Sequence, residues 1–339
     1  MFTALALAQS YSFAVVGHTR GGPGNGTLPM ERYDELVREV RRCKPAFVVL
    51  TGDLVYGDFE AREVDRAAVE SDWDAVDRVF ARFECPVHRV PGNHDLWDPT
   101  TRDLWTERYG ELQKSFDYEG SKFLLLNSCW TPPPGETGQC PPRFIRGVQL
   151  DDSRVRFVEG EIEGARDAAH VFAFLGHVLW WDDEASWWSD VHPLLSQVPT
   201  RAVFSGDLGP WKFSHQQRDG IHYIQSAVEF TVPPTVMQRN RESIRSISEQ
   251  LDNFALVTVD GDAVRIEIRT LGALESGRFT PAKYREVHEY DAGSFERKVF
   301  NRMDTPEKLV GWLWKLGGAA ALGGAVLGAG LTWILRRRA

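Results

Sequence analysis

Three polar residues in succession, Asn93, His94 and Asp95, follow a short apolar run that ends at Val90. This run, residues 85–90, has the length of a buried strand, and Pro91-Gly92 then turns the backbone sharply. An amide oxygen can bind a metal ion, and a histidine can donate or accept a proton near neutral pH. Strand ends in an α/β sheet are places where such groups converge on a ligand, so this turn is the first candidate for chemistry.

A second apolar run, residues 47–51, ends in Gly52-Asp53 in the same manner. A carboxylate in that position could bridge two cations. The competing interpretation of residues 93–95 is a polar surface turn with a solvent-facing histidine. The repeated pattern of strand, glycine and ligand favours a shared site, because polar groups at neighbouring strand ends can converge on one ligand.

The elements that must position these turns alternate along the chain. Strands are predicted at residues 11–17, 47–51, 85–90, 115–118, 122–127, 170–175, 202–207, 221–226, 254–260 and 264–271, the last three completing a second sheet. Helices are predicted at residues 30–44, 62–82 and 150–164, with a loop and helix over 96–109. Residues 18–26 are expected to form a flexible loop, and residues 131–146 an irregular one. The alternation favours a parallel or mixed sheet with crossover helices.

The order and spacing of Gly52-Asp53 and Gly92-Asn93-His94-Asp95 resemble those of the calcineurin-like metallophosphoesterases. The resemblance covers roughly residues 11 to 272. It implies an α/β fold, a two-sheet αββα metallophosphoesterase sandwich, with a two-metal centre that hydrolyses phosphate mono- or diesters by metal-activated water.

The resemblance also implies roles for individual residues. Asp53 matches the bridging metal ligand, and Asn93, His177, Asp207 and His18 match other ligand positions. His94 matches the general acid, and Asp95 matches the group that orients it. Arg20 falls where the family has a histidine ligand, and a guanidinium there offers only donors that could clamp a phosphate oxygen.

The first and last ligand motifs depart from the family pattern. Arg20 and Gly209 each stand where a histidine ligand is expected, and Asp207 replaces another histidine. We therefore expect one well-held ion, on Asp53, Asn93, His177 and Asp207, and a second site that is weak or absent. Two carboxylates, an amide and an imidazole suit Mn²⁺, Fe²⁺ or Zn²⁺, and Mg²⁺ also fits.

Three functions follow from these departures. The first is a phosphoesterase with a weakened first metal site, and the second is a catalytically impaired binding module, or pseudoenzyme. The third is a membrane-tethered interaction protein that uses its tryptophan-rich loops. Trp180, Trp181, Trp187 and Trp188 follow His177 and could shape a rim over the cleft, although packing beneath the loop is the favoured interpretation. His215 could substitute for a missing ligand.

Composition sets further limits. A net charge of −9 makes a nucleic-acid scaffold role unexpected. The four cysteines contain no Cys-x-x-Cys pair, so they do not predict a zinc site. Cys43 with Cys85 and Cys129 with Cys140 could form disulfides in an oxidising compartment, and four buried thiols are the alternative.

The chain divides at composition changes. Residues 1–10 are a truncated signal or a lead-in, 11–272 the metallophosphoesterase-like domain, 273–308 a linker or stalk, 309–335 a transmembrane anchor and 336–339 a basic tail. Residues 317–335 carry no charge, and tryptophans flank the span.

The terminal arginines favour a single-pass protein with its catalytic domain outside the cytoplasm, in the periplasm or at the cell surface. A cytoplasmic tail-anchored form is the alternative. A stripe of small residues in the anchor could pair two copies as a homodimer.

Overall fold

The structure is a computed structural model of the 339-residue chain. It describes residues 10–22, 25–59, 61–131, 139–141, 147–180, 183–207, 213–228, 252–271 and 278–279. All of these belong to one compact unit, Met1–Glu286.

Two six-stranded sheets carry the fold. In spatial order, the first sheet contains β14 (Arg278–Phe279), β13 (Ala263–Thr270), β12 (Asn253–Asp260), β1 (Tyr11–Val16), β4 (Phe47–Thr51) and β5 (Val87–Val90). The second contains β10 (Phe213–Arg218), β11 (Ile221–Ser226), β9 (Thr200–Asp207), β8 (His170–His177), β7 (Ser121–Leu125) and β6 (Lys114–Tyr118). A small hairpin joins β2 (Arg20–Gly22) to β3 (Asn25–Thr27).

Most of the helices connect parallel strands, as the alternation in the sequence predicted, and the helix over residues 99–109 leads from the first sheet to the second. They are α1 (Met30–Cys43), α2 (Arg66–Ala81), α3 (Pro99–Tyr109), α4 (Asp152–Gly164) and α5 (His192–Leu195), with a π-helical turn at Trp187–Val191. Strands β1, β4 and β5 run parallel to one another, as do β7, β8, β9 and β11. Their carboxyl ends therefore meet at one edge of each sheet.

Side-chain alternation separates three layers of core. Phe13 and Val15 of β1 enter the core between the sheets, whereas Ala14 and Val16 lie under the helices of the first sheet. The inter-sheet core is aromatic, with Phe13 stacked on Phe47 at a centroid distance of 5.2 Å. A third cluster packs α4, α5 and the π-helical turn on the second sheet. The predicted two-sheet αββα sandwich is thus confirmed.

The two sheets come into backbone contact at the carboxyl ends of their strands. A methyl group at Gly206 of β9 would lie 2.3 Å from the carbonyl oxygen of Thr51, and one at Gly176 of β8 would lie 2.5 Å from that of Pro91. Heavy atoms do not approach so closely, so only glycine allows the strand ends of one sheet to reach those of the other at these positions. The close approach brings polar residues of both sheets to one edge.

Several sequence predictions need correction. Residues 253–260 and 263–270 join the first sheet rather than completing the second, because β12 pairs with β1 and is buried along almost its whole length. Residues 18–26 were expected to form a flexible loop, but most of the hairpin of β2 and β3 falls within them. The strand at 213–218 was missed, and helix α2 begins later than predicted because the Asp65 side chain caps it at the Ala68 amide.

The cysteines are thiols. Neither the Cys43–Cys85 nor the Cys129–Cys140 disulfide forms, and all four side chains remain reduced. The Cys129 thiol is buried and donates to the carbonyl of Pro91 at 3.3 Å.

The predicted anchor, residues 309–335, lies outside the described residues, as do the lead-in 1–9 and the predicted linker from residue 280 onward. Across the described segments, no helix combines the length and the apolar character needed to cross a bilayer.

Replacement of Gly206 by alanine tests the close approach of the sheets. The added methyl group meets a backbone carbonyl that cannot move alone, so Gly206→Ala should lower the free energy of unfolding by about 2 kcal/mol. The matched control is Gly160→Ala in α4, where a methyl group meets nothing within 4 Å and helix propensity favours alanine by up to about 1 kcal/mol. Denaturant unfolding measures both, and equal stability of the two variants would contradict the proposed constraint.

Candidate active site

The turn after β4 places Asp53 beneath two basic side chains. Its Oδ2 atom lies 3.4 Å from His18 Nδ1 and 3.4 Å from Arg20 Nε. Both His18 and Asp53 are buried and hold left-handed backbone, with φ of 55° and 52°. Such a conformation costs a non-glycine residue about 1–3 kcal/mol and is maintained only by its surroundings. Here the His18 amide donates to the Gly52 carbonyl at 3.0 Å, which ties the two turns together.

Asn93 and His177 meet across the two sheets. Asn93 Oδ1 lies 2.9 Å from His177 Nε2, and both side chains are buried. The other ring nitrogen of His177, Nδ1, lies 2.9 Å from the hydroxyl of Ser128. A methyl group at Gly147 would lie 2.6 Å from His177 Cγ, so the chain covers the ring closely. These contacts fix the ring with Nε2 directed at the amide oxygen of Asn93.

Asp207 ends β9 directly beside His177. The two residues are register partners in the pairing of β8 with β9. The side chain of Asp207 and all of Gly209 lie outside the described residues. The backbone therefore places Asp207 at the expected ligand position.

His94 is held by a backbone carbonyl rather than by a carboxylate. Its Nδ1 atom lies 3.0 Å from the carbonyl oxygen of Tyr56. Because a carbonyl only accepts, Nδ1 must carry a proton, which leaves Nε2 as the atom available to a ligand. Burial lowers the pKa of the His94 imidazole well below its usual range, and the Arg20 cation acts in the same direction.

Asp95 does not orient His94 as expected from the family resemblance. Its Oδ2 accepts from the Gly92 amide at 2.8 Å, and its Oδ1 accepts from the amides of Leu54 and Val55 at 3.0 and 3.4 Å. The carboxylate thus joins the turn after β5 to the turn after β4. Burial, and then the charge of Asp53, raise the pKa of Asp95, whereas the three amide donors lower it by binding the ionised form.

The donors present suit a divalent ion at one position. Among the residues that the structure describes, no cluster of three or more histidine, cysteine, aspartate or glutamate side chains is arranged for a metal. Two of the four expected ligands could not count toward such a cluster. Asn93 is an amide, which is not one of these residue types, and the Asp207 side chain is not described. The facing oxygen of Asn93 and nitrogen of His177, together with the Asp53 carboxylate that accepts from the His94 amide at 3.1 Å, are oxygen and nitrogen donors of the kind that bind divalent ions.

The first ligand position is different, because Arg20 already contacts the expected bridging carboxylate. The Arg20 side chain is also anchored by the Gly21 carbonyl at 2.8 Å, and its guanidinium carbon lies 5.7 Å from the centroid of the Tyr56 ring. A fixed positive charge therefore stands beside Asp53 where a metal-binding histidine was expected.

Two groups near the site were not predicted from sequence. Ser128 holds the His177 ring, and its place just after β7, at the same edge as the other turns, was an available signal. The Tyr56 carbonyl that holds His94 belongs to the backbone and has no sequence signature.

Two other predictions concern residues around the second sheet. His215 lies on β10 with its Nε2 atom 3.0 Å from His222 Nδ1 of β11, and this contact does not support a role as a substitute ligand. Trp180 and Trp187 are buried in the core under the second sheet, so for these two rings the packing interpretation is confirmed.

A family model for calcineurin-like phosphoesterases matches residues 28–225 of this chain. The protein therefore belongs to the calcineurin-like phosphoesterase family. The match includes Asp53, Asn93, His177 and Asp207 and begins after His18 and Arg20. No curated protein sequence matches the chain.

Solved structures share the fold at low sequence identity. The crystal structure of a dimetal phosphatase from Danio rerio aligns with a TM-score of 0.53 and 14% identity, covering 80% of this chain and 98% of that one. Wild-type Vps29 complexed with Zn²⁺, from Entamoeba histolytica, aligns with a TM-score of 0.37 and 12% identity over 79% and 98% of the two chains.

Replacement of Asp95 by asparagine tests its role as a link between turns. An amide of the same shape presents one NH₂ group to backbone donors, so at least one buried N–H loses its acceptor. We expect Asp95→Asn to lower the free energy of unfolding by about 2 kcal/mol. The control is Asp117→Asn, at an exposed position of β6, which should change stability by less than about 0.5 kcal/mol. If thermal or denaturant unfolding shows no difference between the two, Asp95 does not link the turns.

Proposed function

We propose that this chain is a metal-dependent phosphoesterase that hydrolyses phosphate mono- or diesters, with a single well-held divalent ion. The observation that carries the proposal is the meeting of Asn93 and His177, from different sheets, at 2.9 Å, while the buried Asp53 carboxylate accepts from the amide of the next residue, His94, at 3.1 Å. An amide, an imidazole and a carboxylate at one edge of an αββα sandwich have no need to converge for packing alone. Membership of the calcineurin-like phosphoesterase family supports the same conclusion.

Asp53, Asn93, His177 and Asp207 would hold the ion, which is Mn²⁺, Fe²⁺ or Zn²⁺, with Mg²⁺ as a further option. Bound there, a divalent ion would activate water and offset charge on the phosphoryl oxygens. Ser128 positions His177 by fixing which ring nitrogen faces the ion. Such outer hydrogen bonds commonly tune metal affinity.

The remaining chemistry is assigned to His94 and Arg20. The Tyr56 carbonyl keeps a proton on His94 Nδ1, so Nε2 is the atom that would donate to the leaving oxygen. The negative charge of a bound phosphate ester would favour the doubly protonated ring that this donation needs, against the effects of burial and of Arg20 on the pKa of His94. Proton donation of this kind typically contributes a rate factor of about 10² to 10⁴. Arg20, half-buried beside Asp53, would bind a phosphate oxygen through guanidinium N–H groups other than those directed at Asp53 and the Gly21 carbonyl.

A non-catalytic phosphate-binding module is the second candidate, and one contact favours it. The Arg20 guanidinium lies 3.4 Å from Asp53 Oδ2, so the carboxylate expected to bridge two ions already has a cationic partner. Loss of the second ion removes part of the charge that stabilises phosphoryl transfer in two-metal sites. A chain of this kind could retain affinity for phosphate esters without turnover.

Membrane attachment through residues 309–335 remains a proposal from the sequence. A single span would tether the phosphoesterase domain to a bilayer, and the terminal arginines favour an extracytoplasmic domain. Pairing of two anchors through their small-residue stripe would make the protein a homodimer.

Loss of His94 provides the direct test of catalysis. With Mn²⁺ added, the wild-type protein should hydrolyse an aryl phosphodiester or monoester, and His94→Ala should reduce kcat by at least about a hundredfold. The control is His215→Ala, which removes a histidine that contacts His222 on another strand and should retain wild-type activity. Absence of turnover by a folded wild-type protein with every metal tried would favour the binding module.

Metal content tests the single-ion proposal. Elemental analysis of the purified protein should find about one ion per chain, fewer than the two of a complete two-metal site. Arg20→His, which replaces the cation by a metal-binding imidazole, should raise the content above that of the wild type. Arg89→His, at an arginine that contacts Asp77 away from the site, should not. A wild-type content near two ions would overturn the proposal of a weakened first site.

A further inference from the structure

Two half-buried aromatic rings stand beside His94. The Phe59 ring centroid lies 4.0 Å from that of His94, with a 38° angle between the planes, and the Tyr56 centroid lies at 5.1 Å. Tyr56 and Phe59 also contact each other, with centroids 6.4 Å apart. The rings are therefore placed next to the imidazole that would protonate a leaving oxygen.

The turn that carries these rings is fixed at successive backbone positions. The amides of Leu54 and Val55 donate to Asp95, and the Tyr56 amide donates to the Gly26 carbonyl at 2.8 Å. The next carbonyl, that of Gly57, accepts from the Trp97 indole at 2.7 Å. A turn held in this way presents its side chains in a preformed arrangement, which lowers the entropic cost of binding a ligand.

Backbone constraint at Gly57 adds to this arrangement. Gly57 has a φ of 68°, and a methyl group there would lie 2.1 Å from the carbonyl oxygen of His94. The backbone of the turn therefore packs closely against the segment that carries the His94 imidazole. This contact couples the position of Phe59 to that of His94.

Charged groups of the site also lie near Tyr56. Arg20 has its guanidinium carbon 5.7 Å from the Tyr56 centroid and contacts Asp53. A phosphate held by Arg20 and the ligand residues would direct its ester oxygen to His94. The carbon skeleton of the leaving alcohol would then lie against Phe59 and Tyr56.

We propose that Phe59 and Tyr56 form a leaving-group subsite that selects phosphate esters of apolar alcohols, aromatic ones above all. This inference rests on the proposed function, because it takes the phosphate position from the same site. Contact between aromatic rings adds to the affinity gained from the burial of apolar area. A phenyl group should therefore raise affinity about tenfold over a methyl group.

Binding of two phosphonates tests the subsite without requiring turnover. Titration calorimetry on the Mn²⁺-loaded protein should show benzylphosphonate binding about tenfold more tightly than methylphosphonate. Phe59→Ala should remove most of this preference and leave the affinity for methylphosphonate unchanged, and Phe59→Leu should retain an intermediate preference. Phe157→Ala, at a half-buried phenylalanine of α4, is the matched control and should keep the wild-type ratio.

The outcomes separate this inference from the proposed catalysis. Equal affinities of the wild-type protein for the two phosphonates, or a preference retained in folded Phe59→Ala, would overturn the subsite. Hydrolysis of benzyl phosphate is measured beside binding. Preferential binding without hydrolysis would support the subsite and remove the catalytic proposal, whereas hydrolysis without preference would do the reverse. Failure to bind either phosphonate would overturn both.

Discussion

Backbone contact between the two sheets is the constraint on which the site depends. At the carboxyl ends of the strands, Gly176 and Gly206 of one sheet touch the carbonyls of Pro91 and Thr51 of the other. Side chains of ordinary size would separate these strand ends by several ångströms. Asn93 and His177, which come from different sheets, would then no longer lie within hydrogen-bonding distance. The glycines thus set the distance between the ligand groups, although they bind nothing themselves.

A second level of constraint lies in the turns themselves. The Asp95 carboxylate collects three amides from two turns, and the Tyr56 carbonyl holds the His94 ring. Within this framework, the exchange of a ligand histidine for Arg20 alters charge without altering architecture. Under the proposed function, a divalent ion would be replaced by a cation that is covalently part of the chain. Catalytic capacity could then change in this protein while the scaffold stays intact.

The sequence predicted the sandwich, and it singled out Asn93 and His177, which the structure brings within 2.9 Å of each other, because strand periodicity and the Gly-Asn-His-Asp pattern are local signals. Assignment of residues 253–270 to the second sheet rather than the first was wrong. Strand pairing depends on contacts between residues far apart in the chain and not on the local pattern. The role of Asp95 was also misjudged. Its neighbour in sequence is His94, but its partners in space are backbone amides, which any residue type supplies. The aromatic pair of Tyr56 and Phe59 likewise became visible only through the path of the turn between them.

The glycine contacts make the space between the sheets wedge-shaped. Bulky rings such as Phe13, Phe47 and Phe172 fill it toward the start of the strands, where side chains separate the layers. Tolerance to substitution should accordingly form a gradient along each strand. Near the phenylalanines, neighbouring side chains can repack when a substitution changes the side-chain volume. At the carboxyl ends of the strands the contacts are between backbones, so no side chain can move to make room for a larger residue.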